Sequence, residues 1–318
     1  IKYVRKSGDD SSGDGSTGSP YKTIAKAMSG AVDTRGYVTG TGDRFMVIVG
    51  PGEYHETIDC RYPHGYSVSN LQGRPIGNLT VRGESFMSAT IIDAHTDPRS
   101  RYPSIIYGYT SGSIFENLVF RNVTGSGNTS GQAYASLASH PRMINHPHNG
   151  GGGATVYIQG GSMAYHQQIR FLYCEHSQSF GGQANGIYIA VDAPADAQRW
   201  PTRVDNCIFR GGGPAGGSYN TYAGTALTIG NNIGKGATAS FATNNIVYYY
   251  ANGIKSGNNY TANFINNTVL SCSHTGMFAH KDSKIYNNII AGCAAQGSAE
   301  YGLLYICLLY TSPSPRDR

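Results

Sequence analysis

Lys255, His280, Arg142, His146 and Asp192 are the side chains in this sequence whose types and spacing could move protons or neutralise charge, and Tyr157, Tyr188 and Phe278 offer flat faces beside them. A lysine acts as a general base only where burial or neighbouring cations lower its pKa. Hydrolysis of a glycosidic bond would instead need two carboxylates about 5 to 9.5 Å apart. Acids are scarce here: from Gly151 to Ile306 they are Glu175, Asp192, Asp196, Asp205, Asp282 and Glu300. Of these, Asp192 ends a strand that could line a site and Asp196 follows in the next loop, so no hydrolytic cluster is visible. Abstraction of a proton beside a carboxylate needs a base and a cation to hold the enolate. Lys255 fits the base, His280 an acid or orienting group, and Arg142 or His146 the carboxylate's partner.

The same inventory bounds metals and cofactors. His146 and His148 form a His-x-His pair with His140 nearby, but a third ligand is not evident, and the segment reads as a polar loop. Asp9, Asp10 and Asp14 lack the remaining ligands of a calcium loop and read as a solvated turn. No cofactor and no metal site is expected, with calcium left open.

The elements that must position these residues are set by a recurring phrase: Asn244-Asn245-Ile246-Val247, Asn266-Asn267-Thr268-Val269 and Asn287-Asn288-Ile289-Ile290. Successive second asparagines are 22 and 21 residues apart, a spacing typical of stacked repeats. A coil of that length holds three short strands and three turns, with asparagine supplying a left-handed bend and a hydrogen-bonded column. The register of Ile254, Ile265, Val269, Met277, Ile285 and Ile289 is expected to follow the coils. Looser versions occur at Ile114–Phe120 and Val204–Phe209.

Between the phrases lie strands read as beginning Gly-apolar, as in Gly186-Ile187, Gly253-Ile254 and Gly276-Met277, with Thr155-Val156 and Ala226-Leu227 in the same slot. If Val156, Ile187, Leu227, Ile254 and Met277 point inward, alternation turns Tyr157, Tyr188, Thr228, Lys255 and Phe278 outward as one column. A second outward column would hold Gln159, Ala190, Gly230, Gly257 and His280. Long connections enter these strands, and loops of such length are usually functional or disordered.

Gly-Ile-x-x, a turn and Ile-x-Asn-Asn-Thr-Val resemble the coil of right-handed parallel β-helix proteins of the pectate-lyase-like superfamily, over roughly residues 1 to 306. The resemblance implies an all-β, single-domain parallel β-helix whose loops wall a groove in which polysaccharide lies. It implies lyase chemistry on a uronic-acid polymer by β-elimination, with Lys or Arg as the base. The rival is a non-catalytic carbohydrate-binding module, adhesin or phage tail-spike-like scaffold, which needs no base. The resemblance also implies a secreted, cell-surface or virion-associated protein.

With 318 residues, 43 glycines, 24 tyrosines and 14% charged residues, the composition suits turns and flat strand faces. The net charge of +5 comes without basic blocks, so nucleic acid is not an expected partner. No apolar run reaches the length of a membrane span, and oligomeric state stays open. Residues 1–31 are expected to form a strand, a turn and a short helix capping the first coil, with Ser19 as N-cap and Pro20 at the first helical position. Residues 32–306 form the helix of coils. Residues 307–318 read as a translated sequencing adapter, so the natural end is placed near Ile306 in a fragment of environmental origin. Cys272 and Cys293 each follow the second Asn by five residues and should stack as buried free thiols.

Overall fold

The computed structural model describes residues 1–33, 45–56, 58–59, 76–77, 79–92, 106–108, 110–111, 113–122, 154–160, 168–176, 185–191, 202–211, 225–231, 240–250, 252–256, 261–280, 283–293 and 304–306. These form parallel strands stacked in coils with one short helix at the start, the right-handed parallel β-helix.

Each Asn phrase is a corner between two strands. The first asparagine takes the left-handed conformation, with φ of 57° at Asn244, 55° at Asn266 and 53° at Asn287, and Asn117 and Asn206 repeat it at 58° and 57°. Asparagine tolerates this region at less cost than most residues. The second asparagine turns inward and is fully buried at Asn245 and Asn267. There it satisfies backbone groups that the corner removes from the strand ladder. Asn245 Nδ2 donates to Val204 O at 2.9 Å, Asn267 Nδ2 to Ala242 O at 2.9 Å and Asn288 Nδ2 to Phe264 O at 2.8 Å.

Strands before the corner stack in the order Lys2–Val4, Phe45–Val49, Leu79–Gly83, Ile114–Asn122, Gln168–His176, Arg203–Asp205, Ser240–Thr243, Ala262–Ile265 and Lys284–Tyr286. Their inward column is Val47, Val81, Phe115, Ile169, Val204, Ala242 and Phe264, and all are fully buried. The adjacent outward column runs Arg82, Glu116, Arg170, Asp205, Thr243, Ile265 and Tyr286. It begins as a charge ladder: Glu116 accepts from Arg170 Nε at 2.5 Å and lies 3.7 Å from Arg82 Nε.

Ile265 therefore faces out, because Phe264 takes the inward position beside it. Ile289 also faces out, at 60% exposure, as the neighbour of the inward Ile290. Both keep the coil register, but on the outer face and not in the interior beside Val269 and Met277. A strand of three or four residues can bury only its alternate side chains, and the apolar character of Ile265 and Ile289 did not decide which face they took.

The N-terminal helix spans Ile24–Asp33 and seats Ile24, Ala27 and Met28 in the core against the first strands. Its cap is Thr23, whose Oγ1 accepts from Lys26 N at 3.1 Å. Ser19 and Pro20 are not part of the helix; Tyr21 bridges to Val4 as a short parallel extension. The start is displaced because carboxylates from elsewhere hold the first N–H groups. Asp10 accepts from Lys22 N at 2.8 Å and Thr23 N at 3.0 Å, and Glu56 accepts from Ile24 N at 3.1 Å and Ala25 N at 2.9 Å. Asp9 and Asp14 are occupied as turn acceptors by Ser11, Ser12 and Ser16.

Candidate functional site

The sheet that carries the candidate residues contains, among the described residues, the strands Ile58–Asp59, Ile106–Gly108, Ala154–Gly160, Asn185–Val191, Thr225–Asn231, Asn252–Ser256, Met277–Ala279 and Leu304–Ile306 in spatial order. Its register aligns Ile58, Ile106, Val156, Ile187, Leu227, Ile254, Met277 and Leu304 in one column. Ile187, Leu227, Ile254 and Met277 are buried. The neighbouring column runs Asp59, Tyr107, Tyr157, Tyr188, Thr228, Lys255, Phe278 and Tyr305. Tyr157, Tyr188, Lys255 and Phe278 thus share one column, as the alternation requires.

Tyr107 and Tyr305 extend that column at its two ends and were not anticipated. Their signal was present: Ile106-Tyr107-Gly108 and Leu304-Tyr305-Ile306 follow the same scheme as Val156-Tyr157-Ile158 and Ile187-Tyr188-Ile189.

The strand that carries Lys255 is set close against the next coil. A Cβ placed on Gly253 would lie 2.2 Å from Gly276 O and 2.5 Å from Val269 Cγ1. Glycine at the strand entrance is therefore a matter of space. Gly253 N donates to Thr275 O at 2.9 Å and Ile254 N to Gly276 O at 3.1 Å. These bonds fix Lys255 between Thr228 and Phe278.

Thr228 is only 3% exposed although it occupies the outward column, and Ala226, Leu227 and Ile229 on the same strand are buried too. Both faces of this strand are covered, which an open outer surface would not show. Lys255, one coil on, is part-buried, and this burial lowers its amine from the ordinary 10.5. Among the described residues, no carboxylate pairs with it to offset the loss of water.

His280 lies in the following coil. Its backbone N–H donates to Ser256 Oγ at 2.7 Å, and its carbonyl accepts from Ser283 N at 2.8 Å. Its Nδ1 is buried and makes no hydrogen bond among the described residues. Ser256, the residue after Lys255, thereby ties the lysine strand to the histidine. Ser256 is a positioning group that alternation alone could not reveal, since its side chain points inward to meet a backbone amide. A desolvated amine and an imidazole with an unsatisfied ring nitrogen thus sit on adjacent coils of one sheet.

Arg142, His146 and Asp192 lie outside the described residues, as do His140, His148 and Gly257. Gln159, Ala190 and Gly230 are in register as the second column requires. Among the described residues no group of three or more His, Cys, Asp or Glu side chains could hold a metal ion, and no helix is long and apolar enough to cross a membrane.

No family model matches the chain and no curated protein matches its sequence. Solved structures do resemble it. A rhamnogalacturonan lyase superposes with a TM-score of 0.51 at 12% identity, over 96% of this chain and 65% of its own. A mutant pectin methylesterase in complex with a hexasaccharide reaches a TM-score of 0.46 at 15% identity, over 96% of this chain and 93% of its own. The pectin methylesterase PemA from Erwinia chrysanthemi reaches 0.44 at 15% identity, over 96% and 92%. The first of these likenesses supports the parallel β-helix class already defined by the coils. This chain spans 65% of the length of that lyase.

Proposed function

We propose that this β-helix engages an acidic polysaccharide along the sheet bearing Lys255 and cleaves it by β-elimination. The observation that carries the proposal is Lys255 itself: a part-buried amine with a lowered pKa and no counter-charge among the described residues, held in a column with Tyr157, Tyr188 and Phe278. An unpaired buried ammonium costs stability, and such groups concentrate where chemistry needs them.

In the proposed step the neutral Nζ of Lys255 takes the proton from the carbon bearing the uronate carboxylate. The electron pair forms a carbon–carbon double bond as the glycosidic oxygen on the next carbon departs. That oxygen receives a proton, for which the His280 imidazole on the next coil is the proposed donor. The aromatic column stacks against sugar rings, and Arg142 or His146 neutralises the carboxylate. Asp192, which follows Val191 in sequence, is proposed as a further polar contact. Secretion or surface display follows from a substrate of this kind. The similarity to a rhamnogalacturonan lyase agrees with the class of substrate proposed.

The test is ultraviolet detection of unsaturated uronide ends on pectate, rhamnogalacturonan, alginate and glycosaminoglycan panels. Release from one of them, lost in Lys255→Ala, is the expected result. Binding without product on every polymer would instead identify a non-catalytic carbohydrate-binding scaffold.

A further inference from the structure

Two cysteines outside the candidate site are brought together by the coil register. Leu270 pairs with Ala291, and Ser271 N donates to Ala291 O at 2.9 Å just beyond the strand. Ser271 and Gly292 both take positive φ, 52° and 64°, so both coils turn the same way and place Cys272 against Cys293. The thiols point alike: Cys272 Sγ lies 3.9 Å from Leu270 O and Cys293 Sγ 3.6 Å from Ala291 O, in each case the carbonyl two residues before. Cys272 and Cys293 thus hold equivalent positions on adjacent coils. Parallel strands stand about 4.8 Å apart, inside the range of about 4.4 to 6.8 Å between Cα atoms that a disulfide spans.

We propose that Cys272 and Cys293 are a redox-active dithiol site, which reacts with a low-molecular-weight disulfide and closes to a disulfide across two coils. Cys293 is the attacking thiol. It is 8% exposed against 1% for Cys272, and the neighbouring Cys272 shifts its thiol toward the thiolate. The neighbouring Cys293, with burial, pushes the Cys272 thiol up.

The Cys293 thiolate attacks one sulfur of the small disulfide and expels one thiolate, leaving a mixed disulfide. Cys272 then gives up its proton and attacks the Cys293 sulfur, breaking the mixed disulfide and expelling the second thiolate. The protein dithiol is oxidised, the reagent is reduced to two thiols, and those thiols carry away both protons. The link ties the last two Asn-phrase coils together and removes freedom from their unfolded state.

The test exposes the folded full-length chain to hydroxyethyl disulfide, alkylates the remaining thiols and maps peptides by mass. Lys281 and Lys284 lie between the cysteines, so trypsin separates them, and cleavage at Tyr301 and Tyr305 separates Cys293 from Cys307. The expected product is a Cys272–Cys293 linked pair lacking two hydrogens. Cys272→Ser should trap the reagent on Cys293 as a mixed disulfide. Full alkylation of both cysteines in the treated folded protein, or linkage of either one to another cysteine, overturns the proposal. The wild-type map decides even if the serine variant does not fold.

Discussion

Asn267 Oδ1 accepts two hydrogen bonds from Asn245, one from its backbone N–H at 3.1 Å and one from its Nδ2 at 2.9 Å. Asn288 Oδ1 repeats the arrangement toward Asn267, at 2.8 and 2.9 Å, and Cys207 N donates the equivalent bond to Asn245 Oδ1 at 3.0 Å. One side-chain type at one position therefore joins successive coils through the core.

Asn267→Ala should be among the most damaging single changes in the solenoid. It strands the Asn245 donors and the Ala242 carbonyl in a dry interior, at about 1 kcal/mol or more for each bond, hence roughly 3 kcal/mol in total. Asn266→Gly, at the neighbouring left-handed residue, should be close to neutral because glycine adopts positive φ without strain. Urea unfolding of the two variants side by side checks the contrast, and equal losses would remove the special role of the buried column.

Lys255 should show opposite signs in activity and stability. Lys255→Ala is expected to lower the elimination rate by about two to four orders of magnitude, the usual contribution of a general base. The wild-type rate should rise with pH until the amine is neutral and level off below the ordinary lysine value of 10.5. In the window between the lowered folded pKa and 10.5 the unfolded chain binds more protons, so stability should also rise with pH there. Lys255→Met should raise the melting temperature at neutral pH by replacing a desolvated cation with an apolar chain. A drop in melting temperature would place Lys255 among ordinary packing residues.

The N-terminal cap should respond to acid in two directions. Burial raises Glu56 above its ordinary 4.5, so its folded-state cost is present at neutral pH and disappears as pH falls toward 4.5. Hydrogen bonds lower Asp9 and Asp14 below 3.8, so their contribution is lost as pH falls below that value. Thermal melts from pH 7 to pH 3 should show a stability rise and then a fall, the rise being absent in Glu56→Gln. A monotonic fall in the wild type would contradict the Glu56 assignment.

Gly253→Ala tests how closely the coils approach under Lys255. The added methyl would meet Gly276 O and Val269 Cγ1 well inside contact distance, and overpacking of this kind costs about 1 to 3 kcal/mol. Denaturation should report that loss, and the shift imposed on the lysine strand should depress activity beyond the loss of folded protein.

Much of this architecture was legible because the coil repeats itself. The Asn phrase fixes where the chain turns, and counting from it places Tyr157, Tyr188, Thr228, Lys255 and Phe278 in one column. The helix start was not legible, since Thr23 replaces Ser19 through Asp10 and through Glu56, which is 32 residues from Ile24. The facing of Ile265 and Ile289 was not legible either, because very short strands carry too little alternation to decide it. Nor could sequence show the burial of Thr228 or the desolvation of Lys255, which depend on what packs over the sheet. Arg142, His146 and Asp192 lie outside the described residues.

The Asn column also sets how such a molecule can change length. Its rungs are 22 and 21 residues apart at Asn245–Asn267 and Asn267–Asn288, yet Cys207 and Asn245 are joined across 38. Growth is therefore quantised at the corner and free elsewhere: a loop can lengthen by any number of residues, while the corner accepts only a whole additional coil. A lineage built on this plan can lengthen its sheets by duplicating one coil, in steps of about 4.8 Å, without redesigning the interior.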